Sequence, residues 1–598
     1  MSERALYLRA AEELRGNLGQ WEAYNSQGHC VVLAGPGSGK TKTLTIKLAR
    51  MLSEDVEEPR GVACITYNNE CARELETRLD GLGVKPGGRV FIGTVHSFSL
   101  TQIVMPYAKS AGLALPDDFR VATRQEQQIA LERAVQRTIK GGKVNLPDCN
   151  LRMGRYRRSI LNRNSPQWHT EDTELKRLVE AYEQELRATG LIDFDDMPLL
   201  SVRALRENEW LPRARLAKYP VLVVDEYQDL GRALHRMVME LCFSTGIRLF
   251  AVGDVDQSIY GFTGARPELL QQVSEREDVQ AVRLLFNYRS GSRIVVASEY
   301  VLGEERGYRA AEGAPKGTIF FHPCTRSYDQ HARYLFSTVL SGVFSRLPNL
   351  KLGDIAVLYP AAWIGNDVSQ SAQDYGFGIV RTDANSLYPR SSRLMRWLEL
   401  CAMWCCGGWR SGTPRFSKLV AEGCRIFAEV ITTDGHKMTF RRNLVAFLWE
   451  RRDGKINLNT WLGEIHNGLL AELITASQTL DDEGATLAAF IARTAEDGDA
   501  DAITLEQFAG DGEGNDRINL STLHSAKGRE FRVVVLFGMD NGRIPRNDAT
   551  PGERHEARRL FYVGFTRPKE ELHILYTAAR PSPFVLEVQK RMELDGLE

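Results

Sequence analysis

The chain has 598 residues, 43% hydrophobic and 26% charged, with 76 Lys and Arg against 77 Asp and Glu for a net charge of −1. That length suggests about four domains at ~150 residues each and excludes a minimal single-core protein. The near-zero charge excludes nucleic-acid binding through a global positive field, which leaves local basic grooves for that role.

The first sixteen residues, "MSERALYLRAAEELRG", read as a charged amphipathic helix, not as a signal peptide. No apolar run approaches the ~20 residues of a membrane helix. Ten scattered cysteines fit a reduced, cytoplasmic protein.

"CVVLA" (30–34) reads as a buried strand, and "KTKTLTIKLARML" (40–52) has the apolar spacing of a helix. Between them, Gly35, Pro36, Gly37, Ser38 and Gly39 lead into Lys40 and Thr41, with Ala34 where the first glycine of the usual phosphate loop stands. Backbone N–H groups and the helix N-terminus would hold phosphates. Lys40 would reach the β and γ oxygens, and Thr41 would ligate Mg²⁺.

Further on, "ITYNNECARELETRL" (65–79) reads as a strand end followed by a helix, and "FIGTVHSF" (91–98) as another strand end. "RQEQQIALERAVQRTIK" (124–140) is helix-like. The basic stretch "LRMGRYRRSILNRN" (151–164) fits phosphate contacts and a solvated helix face equally well. "YPVLVVDEYQDLG" (219–231) supplies a second buried strand ending in two carboxylates. Asp225 would hold Mg²⁺ through water, and Glu226 would orient and deprotonate the attacking water. With the loop, this pair points to hydrolysis of ATP or GTP.

"FAVGDVDQSIYGFTGA" (250–265) and "LLFNYRSG" (284–291) follow, then the strands "TIFF" (318–321) and "DIAVLY" (354–359). "CAMWCC" (401–406), with Cys401, Cys405 and Cys406, lacks the paired spacing of a zinc site and reads as free thiols in a buried helix. "RRNLVAFLWERRDGK" (441–455) is a second basic stretch with the same two readings as the first. "EDGDADA" and "GDGEGND" (496–502 and 510–516) read as linker. "INLSTLHSAKGREFRVVVLFG" (518–538) and "EARRLFYVGFTRPKEELHILY" (556–576) close the set.

In this order, "AGPGSGKT", "VVDEYQD", "VGDVDQSIYGF", "NYRS", "TLHSAKGREF" and "RRLFYVGFTR" resemble superfamily 1 DNA helicases of the UvrD, Rep and PcrA type. The resemblance implies an α/β fold with two RecA-like P-loop domains on parallel sheets, each carrying an inserted, mainly helical subdomain. The expected map puts 1–100 and 190–285 in the first RecA-like, ATP-binding domain, with "GLIDFDDM" (190–197) marking its return, and 101–189 in its insertion. It puts 286–400 and 515–598 in the second domain, and 401–514 in a shortened second insertion. Little chain follows the last motif, so a C-terminal docking extension is not expected.

Carried over residue by residue, Gln20 reads the adenine edge, Tyr288 stacks on the ring and Glu530 accepts from the ribose. Its context "GNLGQWEAY" keeps Asn17 and Ala23 but has Gly16 where a leucine is usual. Gln257 senses the γ phosphate, and Arg289 and Arg567 add positive charge when the domains close. Tyr67, His96, Tyr260, Phe262 and His524 match DNA-facing positions; Tyr67 replaces a usual Phe, Phe262 a usual Trp, and Thr263 a usual Arg. Tyr288 and the two histidines also suit plain packing roles. The resemblance implies ATP and Mg²⁺ as cofactors, single-stranded and tailed duplex DNA as partners, and 3′ to 5′ translocation with unwinding. A second reading is a DNA-stimulated ATPase that regulates or loads a partner with little unwinding, such as a repair protein or a nuclease in a phage-defence system.

Overall fold

The computed structural model describes residues 3–597 except 85–86, 140–143, 164, 262–263, 326, 384, 478, 497, 499–502 and 510–516. Phe262 and Thr263 therefore lie outside the described residues, as does most of the Gly- and Asp-rich sequence at 496–502 and 510–516. The chain forms two compact units. The first comprises 1–317, 549–566 and 587–598, and the second 318–548 and 567–586.

The first unit is built on a six-stranded sheet in the spatial order 90–94, 62–66, 221–224, 248–253, 29–34, 279–284. Every pairing in it is parallel. Parallel sheets are covered by helices on both faces, so their strands are apolar throughout. Val62–Thr66 and Val221–Val224 are buried along their whole length. One face packs on the cluster of Val31, Phe98, Leu222, Met237 and Leu249, and the other on Cys30, Leu44, Leu48, Leu75 and Phe250.

Helices Arg124–Thr138, Leu146–Ser159 and Thr173–Ala188 form the first insertion, with Leu131, Tyr156, Trp168, Leu178 and Tyr182 in its core. The two-residue pairing of Arg120–Val121 with Leu191–Ile192 closes its base. Here the basic stretch at 151–164 proves largely structural. Arg157 is buried and pairs with Asp193, Asp196 and Glu183, while Arg158 pairs with Asp195 and Arg163 with Glu183. A buried guanidinium needs such partners because desolvation alone would cost several kcal/mol.

The second unit has its own six-stranded parallel sheet, in the order 318–324, 568–577, 531–537, 355–359, 518–522, 379–381. Its helical insertion includes Arg393–Met403, Phe416–Ile426, Asp434–Glu450, Leu458–Ile465 and Asp481–Thr494. They pack around Trp397, Phe440, Trp461 and Phe490. Cys401 and Cys405 are buried free thiols in this core and Cys406 is half-buried; burial pushes the Cys405 and Cys406 thiols up to about 12. Two helical-insertion α/β units on parallel sheets are the fold class the motif order implied.

Candidate nucleotide and strand-binding site

All six strands of the first sheet end, at their carboxyl termini, in a segment singled out by sequence. Parallel sheets gather such segments along one edge. His29–Ala34 runs into the phosphate loop, and helix Lys40–Arg50 follows. Gly37 and Gly39 adopt left-handed φ of 65° and 80°, which an L side chain resists. The Ser38 hydroxyl donates to the Gly35 carbonyl at 2.7 Å, and the Gln20 amide donates to the Ser38 carbonyl at 2.9 Å. Gln20 is thus tied to the loop itself. Lys40 Nζ donates to the Ala34 carbonyl at 3.2 Å and lies 3.6 Å from Asp254 Oδ2.

Val221–Val224 delivers Asp225, which is buried, and Glu226, whose φ of 53° and ψ of 44° are left-handed for a non-glycine residue. Strain of this kind, about 1–3 kcal/mol, persists where surrounding structure enforces it. The enforcing contacts are local: Asp225 accepts from the Glu226 N–H at 3.0 Å, and the Gln228 amide donates to the Glu226 carboxylate. Burial, reinforced by the Glu226 charge, pushes the Asp225 carboxyl up to about 7. Burial also pushes Asp254 up to about 6, against the opposing pull of Lys40.

Asp254 and Gln228 were not singled out by sequence. Asp254 ends strand Arg248–Gly253, its Oδ1 accepts from the Asp256 N–H at 3.0 Å, and its Oδ2 has no hydrogen-bond partner among the described residues. Gln228 is fully buried and accepts from the Asp254 N–H at 3.0 Å while reaching Glu226. It therefore links the two acidic turns. The only signal in the sequence is a glutamine two residues after the carboxylate pair. Gln257 is buried one short turn beyond Asp254, its N–H bonded to the Asp254 carbonyl at 3.1 Å.

Mg²⁺ takes oxygen ligands and keeps waters and substrate phosphates, so it needs few protein groups. The Thr41 hydroxyl at the helix N-terminus and the buried Asp225 carboxylate suit it. A carboxylate driven up by burial gains most from a cation.

Strand Val279–Leu284 leads to Tyr288 and Arg289, which meet the phosphate loop from the other side. The Tyr288 N–H donates to the Gly37 carbonyl at 2.8 Å. Asn287 Oδ1 accepts from the Arg289 and Ser290 N–H groups at 2.8 and 2.9 Å. The Tyr288 ring is 53% exposed, and its hydroxyl accepts from Asn17 at 2.9 Å. Because Asn17 also caps the Gln20 helix turn at 3.1 Å, Gln20 and Tyr288 are positioned through one residue.

Three of the positions expected to face DNA, Tyr67, His96 and Tyr260, follow strands of this sheet at the same edge. Tyr67 follows Val62–Thr66, and its ring stacks on Tyr260 with centroids 4.8 Å apart and planes 19° apart. His96 follows Val90–Thr94 and meets Phe194 edge-on at 5.8 Å. Burial holds the His96 imidazole below its ordinary value, so it is mainly neutral at pH 7. Phe194, inside "GLIDFDDM", is 57% exposed, an aromatic that no motif in the sequence marks.

His524, Glu530 and Arg567 belong to the second unit. His524 follows strand Ile518–Thr522, and burial lowers its imidazole too. Glu530 pairs with Lys569 at 2.7 Å. Arg567 is buried and donates to the Arg529 carbonyl at 3.2 Å. The N–H of Phe531, next to Glu530, bonds the Arg567 carbonyl at 3.1 Å, so Glu530 and Arg567 start neighbouring strands.

A glycine-rich loop between a buried strand and a helix, facing a strand-end acidic pair on a RecA-like parallel sheet, defines a P-loop nucleoside triphosphatase. The UvrD/REP helicase N-terminal domain model matches residues 17–278, and the UvrD-like helicase C-terminal domain model matches residues 464–579. The chain belongs to the UvrD-like superfamily 1 helicase family. It is 26% identical to the ATP-dependent DNA helicase Rep of Escherichia coli, over 96% of this chain and 94% of that protein. It is 24% identical to DNA helicase II of Salmonella typhimurium (93% and 83%) and 25% identical to the ATP-dependent DNA helicase PcrA of Leuconostoc citreum (95% and 84%). Among the described residues no helix is long and apolar enough to cross a membrane.

Proposed function

We propose that this protein is an ATP-driven DNA motor that moves 3′ to 5′ along a single strand and separates duplex ahead of it. One observation carries the reading: the Lys40–Asp254 and Asp225–Glu226 groups and the Tyr67–Tyr260 stack sit on one edge of a single sheet. Phosphate chemistry and strand contact therefore share one rigid frame.

The loop N–H groups and Lys40 bind the triphosphate. Glu226, held by Gln228 in its strained turn, accepts a proton from the attacking water. Arg289 adds positive charge beside the loop, and Arg567 of the second unit adds more as charge develops on the transferred group. Thr41 and Asp225 would hold Mg²⁺, which would supply positive charge to the phosphates. Gln20 and Tyr288 select adenine, and Glu530 reads the ribose. Tyr67, Tyr260, His96 and His524 contact the strand, with bases stacking on the exposed aromatic faces. The domain boundaries near 100, 190, 285, 400 and 515 are part of the same reading.

Lys40→Ala and Glu226→Gln should abolish DNA-stimulated ATP turnover while leaving the far-ultraviolet circular dichroism unchanged. Normal turnover in either variant removes the hydrolysis assignment. Duplexes with a 3′ or a 5′ tail then test direction: ATP-dependent displacement from the 3′-tailed substrate alone is expected, and displacement from neither would remove the unwinding assignment.

A further inference from the structure

The second helical insertion displays aromatic and basic side chains that the nucleotide and strand-gripping sites do not use. They come from "GGWRSG" (407–412) and from the end of "RRNLVAFLWERR" (441–452). Helix Asp434–Glu450 buries Phe440, Leu444 and Leu448, a spacing of four that leaves the opposite face to solvent. On that face stand Arg442 and, seven residues later, Trp449, which is 50% exposed.

Trp449 and Trp409 meet edge-on with centroids 5.6 Å apart. The Arg452 guanidinium lies 3.4 Å from the Trp449 centroid and 4.4 Å from that of Trp409. Arg410 covers Trp409 at 4.5 Å. The order is guanidinium, indole, guanidinium, indole. Arg452 is further fixed by its Nε, which donates to the Trp449 carbonyl at 2.6 Å.

Charge distinguishes this ladder from ordinary surface packing. Arg410, Arg442 and Arg452 have no carboxylate within ion-pair distance among the described residues. Their neighbour Arg451, by contrast, is committed to Glu464 at 2.5 Å and Glu450 at 3.3 Å. Uncompensated guanidiniums at close range repel one another, and a chain of phosphates relieves that repulsion. The half-exposed indole asks for a flat apolar partner. Unpaired bases on a phosphate backbone supply both, whereas duplex DNA keeps its bases stacked inside.

We propose that this face of the second insertion is a separate single-stranded DNA site, in which Trp449 stacks on an unpaired base while Arg410, Arg442 and Arg452 take the flanking phosphates. It goes beyond the motor reading, because it assigns strand contact to a helical insertion that carries none of the ATP machinery.

The test is equilibrium binding of a thymidine homopolymer and of a blunt duplex to the full chain across a salt series. The unaltered protein is compared with Trp449→Ala, Trp449→Phe and the double variant Arg410→Ala/Arg452→Ala. Trp449→Ala should weaken single-strand binding by roughly 5- to 150-fold, the range for one lost base stack, with Trp449→Phe recovering part of the loss. The arginine pair should reduce the single-strand salt slope by roughly 1.4. An iodouracil-substituted strand should photo-crosslink to Trp449 or Trp409. Unchanged affinity and slope overturn the proposal and leave the face to a protein partner. Equal losses on single strand and duplex also overturn it, because they mark a generic cationic surface. DNA-stimulated ATP turnover should persist in all three variants. Its absence from the unaltered protein would instead count against the motor reading.

Discussion

Gly37→Ala puts the geometry of the phosphate loop to a direct test. Gly37 sits at φ 65°, and a Cβ built there falls 2.5 Å from Asn287 Oδ1 and 2.7 Å from Arg289 Cβ. The left-handed conformation alone costs an L residue about 1–2 kcal/mol. The contact cannot be relieved cheaply, because Asn287 Oδ1 already holds the Arg289 and Ser290 N–H groups. The loop must therefore shift, taking a backbone N–H away from the phosphates. A hydrogen bond to a charged group contributes about 1.5–3 kcal/mol, so kcat/KM for ATP should fall about 10- to 150-fold. Global stability should change little, with the thermal midpoint moving by only a few degrees. Gly16→Ala is the matched control, since nothing lies within 4 Å of its built Cβ and its φ is ordinary. Steady-state ATPase kinetics on both variants decide the matter. A Gly37→Ala protein within about twofold of the unaltered kcat/KM, where ~1.36 kcal/mol would give tenfold, refutes the close fit between loop and Asn287.

Tyr67→Ala removes one ring of the Tyr67–Tyr260 stack. The DNA concentration giving half-maximal ATPase stimulation should rise about 5- to 150-fold while turnover without DNA is unchanged; an unaltered half-saturation point would exclude the pair from the strand path. Asp193→Ala deprives buried Arg157 of a partner held at 2.6 and 3.2 Å, so urea unfolding should show a loss of about 3–5 kcal/mol in the first insertion; a loss under ~1 kcal/mol would contradict the burial of that charge. In the second unit, burial alone would raise the Glu571 carboxyl, but hydrogen bonds from His573 and Arg346 hold it down to about 2 against an ordinary 4.5. A depressed carboxylate contributes stability that is present above pH 4.5 and lost as pH falls towards 2. The stability difference between the unaltered protein and Glu571→Gln should therefore be about 1–2 kcal/mol at neutral pH, after allowance for solvent screening, and should shrink through that acid window. A difference independent of pH would mean that Glu571 does not titrate as its partners require.

What the sequence made legible was the placement of groups set by their nearest neighbours in the chain. Lys40 and Thr41 are fixed by a loop and helix contiguous with them, and Asp225 and Glu226 by the apolar run that precedes them. Asp254 and Gln228 escaped notice because their meaning lies in each other: a buried amide joins the turns after two strands by accepting from an N–H 26 residues further on. Arg157 illustrates the opposite error. Its local context is basic, and only the fold reveals the acids of "DFDD", nearly forty residues on, closing around it. Phe194 was hidden in that same acidic run, and it gains interest only from the His96 ring beside it. The Trp and Arg ladder likewise joins two segments some forty residues apart.

The route of the chain through its two units bears on how the protein is made. The first unit is left at Gly317 and regained only at Ala549. Its helix Pro551–Phe565 packs on Ser292–Leu302, and the Thr566 carbonyl accepts from Arg289 at 3.4 Å. On a ribosome adding 5–20 residues per second, the interval between those two crossings is roughly 10 to 50 seconds. Throughout it the nascent chain holds a complete phosphate loop but lacks the element that steadies the arginine beside it. Synthesis thus delays the contact that steadies Arg289 until Thr566 has been made.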